Sequence, residues 1–190
     1  MPLANVNRKM GFIPYDMGGR SNPIITPRPA TAGRTNANAV TNDDISIGDA
    51  YTLDTSGNAH RAGTVGTPDT VRGICVGFRL APFPTVVPGP LSIDYLTAAT
   101  AGVLLGCEDP NALFSVQADT FAIANIDGTF NQTDAAPDPS FRQSRQSINI
   151  GGGAASPNNF RAIDIEPSPA DNAYGANARV LVKLLNSPMA

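Results

Sequence analysis

Glycine and proline interrupt this chain every few residues, and that punctuation limits its fold more than any other feature. Among 190 residues there are 18 glycines and 17 prolines. Proline lacks a backbone N–H and glycine has the most conformational freedom to lose, so neither suits the interior of a long helix. Strong helix formers are scarce too: Lys9 and Lys183 are the lysines, and glutamates are few. Asn, Thr, Ser and Asp fill the gaps between short apolar runs, which is turn chemistry. The expectation is an all-β fold, a single β-sandwich or barrel-like domain of short antiparallel strands with an extended N-terminal arm.

Hydrophobic residues at 42% provide for a core in a chain of one-domain length. Charged residues at 15% fall below the roughly 25% usual in soluble domains, so the surface relies on neutral polar groups or is covered by partners. The two cysteines, Cys75 and Cys107, sit in apolar strand-like surroundings where a buried free thiol is the common outcome. No stretch reads as a secretory leader, and no apolar run approaches the roughly 18 residues of a membrane helix. A soluble protein made in the cytoplasm is expected, with no membrane partner.

Charge is uneven along the chain. Residues 1 to 40 carry Arg8, Lys9, Arg20, Arg28 and Arg34 against Asp16, a net of +4, which leaves −7 on the remainder of a chain whose total is −3. This segment shows neither a 3.6 nor a 2.0 hydrophobic period, so residues 1–42 read as an extended basic arm and 43–190 as the sandwich- or barrel-like body. The arm admits three readings: a solvated tail, a strap that orders on a partner, and a nucleic-acid contact. Phe12, Ile13, Tyr15, Ile24 and Ile25 are apolar anchors that a disordered tail does not need. Spaced cations on a negative chain are a poor phosphate-binding signal, and nucleic acid is not expected as a partner. As a strap, its contact residues are Arg8, Lys9, Phe12, Tyr15, Arg20, Arg28 and Arg34. Deleting residues 1–40 is then expected to leave a folded body that binds its partner less well.

In the body, residues 45–53 read as a strand kinked at Gly48, turned at 54–58 and returning over 59–62. Residues 71–78 form a third strand whose glycines signal a bulge or close backbone approach. Four prolines make 81–90 a loop. Strands are expected at 91–96, 102–107, 112–118, 161–165 and 178–185, and 129–156 reads as a long loop holding one short strand at 147–150.

Reactive groups are sparse. His60 is the lone histidine, lies on the return strand of a hairpin, and reads as an exposed strand residue; no Gly-x-Ser-x-Gly elbow accompanies it. Two cysteines and one histidine without paired spacing do not make a zinc site. Gly151-Gly152-Gly153 lacks the Lys-Ser/Thr of a phosphate loop, and Asp43/Asp44 and Asp134/Asp138 lie in turn-like sequence where Asp bonds nearby backbone. No catalytic residue, metal or cofactor is expected.

Three segments resemble the capsid cement, or head-decoration, proteins of tailed bacteriophages. One is Ile47-Gly48-Asp49-Ala50-Tyr51 with Gly57-Asn58-Ala59-His60-Arg61-Ala62 and Arg72-Gly73-Ile74-Cys75-Val76-Gly77, similar to that family's opening hairpin and third strand. The second, Glu108 to Asp119, resembles its acidic Asp-Pro strand ending in Gln-Ala-Asp. The third, Pro169 to Val182, resembles its C-terminal loop and last strand. The resemblance spans roughly residues 45 to 186 in order, and the arm carries no quotable family motif.

The resemblance implies a non-enzymatic virion protein that binds the outer surface of the assembled head and stabilises contacts between subunits of the major capsid protein. A homotrimer is favoured over a homodimer, because homo-oligomers adopt closed point groups. The first alternative is another virion part, such as a head fibre base or receptor-binding knob, recognising its target through loops 81–90 and 129–156. The second is a non-viral carbohydrate-binding β module, for which a chain without tryptophan offers little stacking platform.

Overall fold

The computed structural model describes residues 9–16, 25–31, 44–63, 69–80, 95–96, 101–133, 135–138, 140–141, 143–151, 158–167 and 172–185. The strands in chain order are β1 (Ile13–Asp16), β2 (Ile25–Thr31), β3 (Ile45–Ser46), β4 (Ala50–Leu53), β5 (Ala59–Arg61), β6 (Gly73–Leu80), β7 (Tyr95–Leu96) and β8 (Ala101–Cys107). They continue with β9 (Leu113–Gln117), β10 (Thr120–Phe121), β11 (Thr129–Gln132), β12 (Ile148–Asn149), β13 (Phe160–Ile165), β14 (Gly175–Ala176) and β15 (Arg179–Leu184). One short 3-10 turn, Ile123–Asn125, is the helical element among the described residues. The chain is all-β, as its punctuation requires.

Five strands close a barrel in the order β2-β5-β4-β6-β8, with β8 returning to pair β2 along its whole length. Closure removes the edges that an open sheet would leave unpaired. A six-stranded antiparallel sheet, β1-β9-β15-β13-β11-β12, packs on the barrel's outer wall, and the ribbons β3/β7 and β10/β14 complete the fold.

Alternation along the strands divides the apolar residues into two cores. Inside the barrel lie Tyr51, Cys75, Phe78 and Leu104, with Ile45 and Leu96 from the β3/β7 ribbon. The outward positions Ala50, Ala62, Ile74 and Cys107 join Phe12, Phe114, Phe121, Phe130 and Phe160 in the core under the six-stranded sheet. Cys75 pairs with Gly106 and Ile74 with Cys107, so the two cysteines sit on adjacent strands but belong to different cores. Both are free and buried, as their surroundings suggested.

The turn after β3 does bend at Gly48, whose φ is +89°, and the hairpin β4/β5 closes through Asp54, whose carboxylate accepts the N–H groups of Ser56 and Asn58. The glycine-marked strand β6 carries its bulge between Cys75 and Gly77. A Cβ at Gly73 would lie 2.8 Å from the Tyr51 ring, and one at Gly106 would overlap the Tyr51 hydroxyl. These two glycines leave the room in which the tyrosine lies.

The boundary at residue 42 is corrected. The described parts of residues 1–42 include β1, on the edge of the six-stranded sheet, and β2, a full barrel strand. Phe12 is fully buried and stacks on Phe160 at 4.6 Å between ring centroids. The prolines misled because those of β2, Pro27 and Pro29, are two residues apart, so both missing donors fall on one side of the strand. The other side keeps its N–H groups for a neighbour, and β2 pairs with β5 only at Ala30.

Two further expectations change. Within 129–156, Thr129–Gln132 is a largely buried strand of the sheet, and Ser144 and Gln146 are buried, because Gln146 satisfies backbone groups of the barrel and the Ser144 hydroxyl donates to the Asp49 carboxylate. His60 is buried, not exposed, on the barrel's outer side with its Nδ1 3.2 Å from the Arg61 carbonyl. The loop at 81–90 and the strand positions 91–94 lie outside the described residues.

Candidate interaction surface and the buried polar locks

Of the seven residues proposed for the arm's contacts, Arg8, Arg20 and Arg34 lie outside the described residues. Phe12 belongs to the chain's own core, where a docking partner does not reach it. Arg28 is occupied inside the fold: its Nε and a terminal nitrogen donate to the two oxygens of Glu108, each at 2.8 Å. Lys9 and Tyr15 do face solvent. Burial of Phe12 fixes the segment that presents them, so these two residues sit on a rigid body and not on a loose strap.

Glu108 terminates β8 at the barrel end, with its side chain 1% exposed. Besides Arg28 it accepts the Tyr51 hydroxyl at 2.6 Å. Burial raises the acid's pKa, but the Arg28 and Tyr51 bonds outweigh it, and Glu108 is held below its ordinary value. The same bond raises Arg28, and burial followed by the Glu108 contact raises Tyr51. The triad ties β2, β4 and β8 together across the barrel.

Asp49 forms the second lock, at the junction of barrel and sheet. One carboxylate oxygen accepts the Ser46 N–H at 2.8 Å and the other the Ser144 hydroxyl. Complete burial pushes its pKa up to about 7, opposed by the Ser144 and Ser46 bonds and by the charge of Arg61. Beside it, Gln146 accepts the Ala50 N–H at 2.7 Å and donates to the Ala62 carbonyl at 3.2 Å. Gly11, at φ +69°, passes so close to Ser144 that any side chain there would collide with it.

Asn159 is the third. Its amide nitrogen donates to the Asp69 carbonyl at 2.8 Å and to Asn131 at 2.9 Å, and its oxygen accepts the Val71 N–H at 2.9 Å. A barrel loop and the sheet are thereby stitched by buried amides, whose bonds are worth more where water is excluded.

Sequence reasoning missed all three. Glu108 and Asp49 stand inside apolar strand sequence, which is the one signal that could have marked them as buried and partnered. Both buried thiols are raised by burial, away from the reactive thiolate. Asp138 accepts the N–H groups of Ser140 and Phe141, the turn role its sequence indicated. Asp43, Asp134, Gly152 and Gly153 lie outside the described residues, and Gly151 donates to Asp119 at 3.2 Å. Among the described residues no group of His, Cys, Asp and Glu is arranged to hold a metal, and no helix is long and apolar enough to cross a membrane.

Among the described residues the exposed large apolar side chains are Met10, Tyr15, Ile25, Ile123, Phe141, Tyr174 and Leu185, and Lys9 and Arg145 are exposed cations. Comparison with protein-family models, curated proteins and solved structures finds no match.

Proposed function

We propose that the protein is a capsid cement protein, a non-enzymatic β body that binds the outer surface of an assembled phage head and stabilises contacts between its major capsid protein subunits. The observation that supports this most is how the buried ionisable groups are used. Glu108 and Asp49 are bound within the fold, and both thiols are walled into the cores. Chemistry that needs a free base or nucleophile is poorly served by groups spent in this way.

The mechanism is linkage. A protein that binds the assembled lattice and not the free subunits stabilises the lattice according to its bound free energy. Repeated copies, each a homotrimer on a threefold position, multiply a modest affinity per site. A rigid presenting surface serves this role, because less order remains to be imposed on docking.

The test is to add the purified protein to empty shells that lack it. We expect saturable co-sedimentation and a higher shell melting temperature. Absence of binding, location anywhere but the shell exterior, or turnover of a substrate overturns the proposal.

A further inference from the structure

We propose that Asp49 is a pH-operated latch, which when protonated keeps the stretch 144–146 closed over the junction of barrel and sheet and when ionised lets that stretch lift. Three parts of the chain meet at this carboxyl group. The turn between β3 and β4 carries it, and Ser46 gives it a backbone N–H at 2.8 Å. The N-terminal segment lies against the same turn, with the Phe12 N–H donated to the Gly48 carbonyl at 2.8 Å and Gly11 close upon Ser144. The stretch 144–146 is the third part, through the Ser144 hydroxyl on Asp49 and the Gln146 amide on Ala50 and Ala62.

Asp49 is fully buried, and a carboxylate is far costlier to keep from water than the neutral acid. Its surroundings offset that cost only in part. Arg61 on β5 attracts the ionised form, and the Cys75 thiol on β6 is held neutral, by burial first and then by the Asp49 charge. His60 faces the other side of β5, since it stands opposite Thr52 while Arg61 stands opposite Tyr51. Tyr51 on β4 is bonded to Glu108. Ser46, Ser144 and Gln146 carry no charge, and Arg145 is exposed.

The covering pieces differ in how firmly they are held. The N-terminal segment is anchored by the buried Phe12 ring. The stretch 144–146 belongs to no strand, is seated by the polar side chains of Ser144 and Gln146, and has Gln143 and Arg145 exposed on either side of Ser144. A segment with few apolar contacts is the one that opens locally. Closed, the carboxyl titrates at about 7; reached by water, it returns toward its ordinary 3.8. Opening is therefore rare below about pH 4, grows about tenfold per pH unit toward 7 and levels off above it. The latch is a property of the free chain, so it stands or falls apart from the capsid role.

The experiment follows amide hydrogen exchange of the full chain by nuclear magnetic resonance between about pH 5 and 8, with and without low urea, each rate divided by its unprotected rate. The Ala50 N–H, held by Gln146, reports the latch, and the Val182 N–H, in the centre of the sheet, reports global unfolding. Ala50 protection should fall about tenfold per pH unit up to 7, then level off, and should not respond to urea. In Asp49→Asn it should stay flat over the same range. If Ala50 follows Val182 at every urea concentration, the opening is global and the latch is overturned. A slope that survives in Asp49→Asn, or wild-type protection that does not change with pH, overturns it as well. Should Asp49→Asn fail to fold, the carbon-13 shift of the Asp49 carboxyl in wild type decides. A titration midpoint where Ala50 protection levels off supports the latch, and one below about pH 5 removes it.

Discussion

The barrel and the six-stranded sheet solve the problem of stability differently. Among the described residues, five buried phenylalanines, Phe12, Phe114, Phe121, Phe130 and Phe160, lie under the sheet, whereas the barrel interior holds Phe78. The barrel fills its centre with Tyr51 and ties that ring to an ion pair, while the sheet depends on area removed from water. Dispersion and burial are graded and forgiving; a buried carboxylate with two partners is not, because losing one partner strands the others. The N-terminal segment joins the two regions, supplying an aromatic to one and a strand to the other.

The largest effect should come from removing that segment. Deleting residues 1–31 takes away Phe12, β1 and β2, opens the barrel and exposes the edge of β8. We expect loss of cooperative unfolding and aggregation, measured by near-ultraviolet dichroism and light scattering. A soluble, cooperatively folding product would show that the two regions stand without the shared segment.

Phe12→Ala tests the sheet side by itself. Removing a fully buried ring from a stacked pair should cost about 3–5 kcal/mol in chemical denaturation. Glu108→Gln tests the barrel side, leaving Arg28 without its counter-ion. We expect a loss of about 2 kcal/mol, reduced because Arg28 is 27% exposed. Glu108 is held below its ordinary 4.5 by its partners, so the stability it confers is present above that value and is lost as pH falls beneath it. The glutamine variant should therefore lose less on acidification than wild type.

Asp49 has the opposite sign. Its carboxyl is near 3.8 when unfolded and about 7 when folded, so the folded state binds the extra proton between those values. Its contribution is fully favourable below about pH 4 and declines as pH rises toward 7. Asp49→Asn, with Arg61 and the neighbouring Cys75 unchanged, should flatten the urea-midpoint profile over that range. A variant profile parallel to wild type would remove Asp49 as its source.

The strands β4, β5, β6, β8, β9, β13 and β15 were legible because short apolar runs between turn residues have few other ways to hide. Residues 9–31 were not. Pro27 and Pro29 read as breakers, since a sequence does not say which side of a strand faces a partner, and two prolines on one side leave the other usable. Thr129–Gln132 and the stretch Ser144 to Gln146 read as loop because they are polar, and polarity shows burial only once the bonding partner is known.

By itself, the sequence determined the class of fold, the places where strands turn, and the fate of its thiols, since these follow from local backbone freedom and from the side chains within a few residues. Tertiary structure alone decided that the N-terminal segment belongs to both cores, that Glu108 meets Arg28 and Tyr51, and that Asp49 meets Ser144. Those pairings join residues 57 to 95 positions apart. Contacts of that reach are set by barrel closure and by the packing of the sheet upon it, which no local pattern encodes.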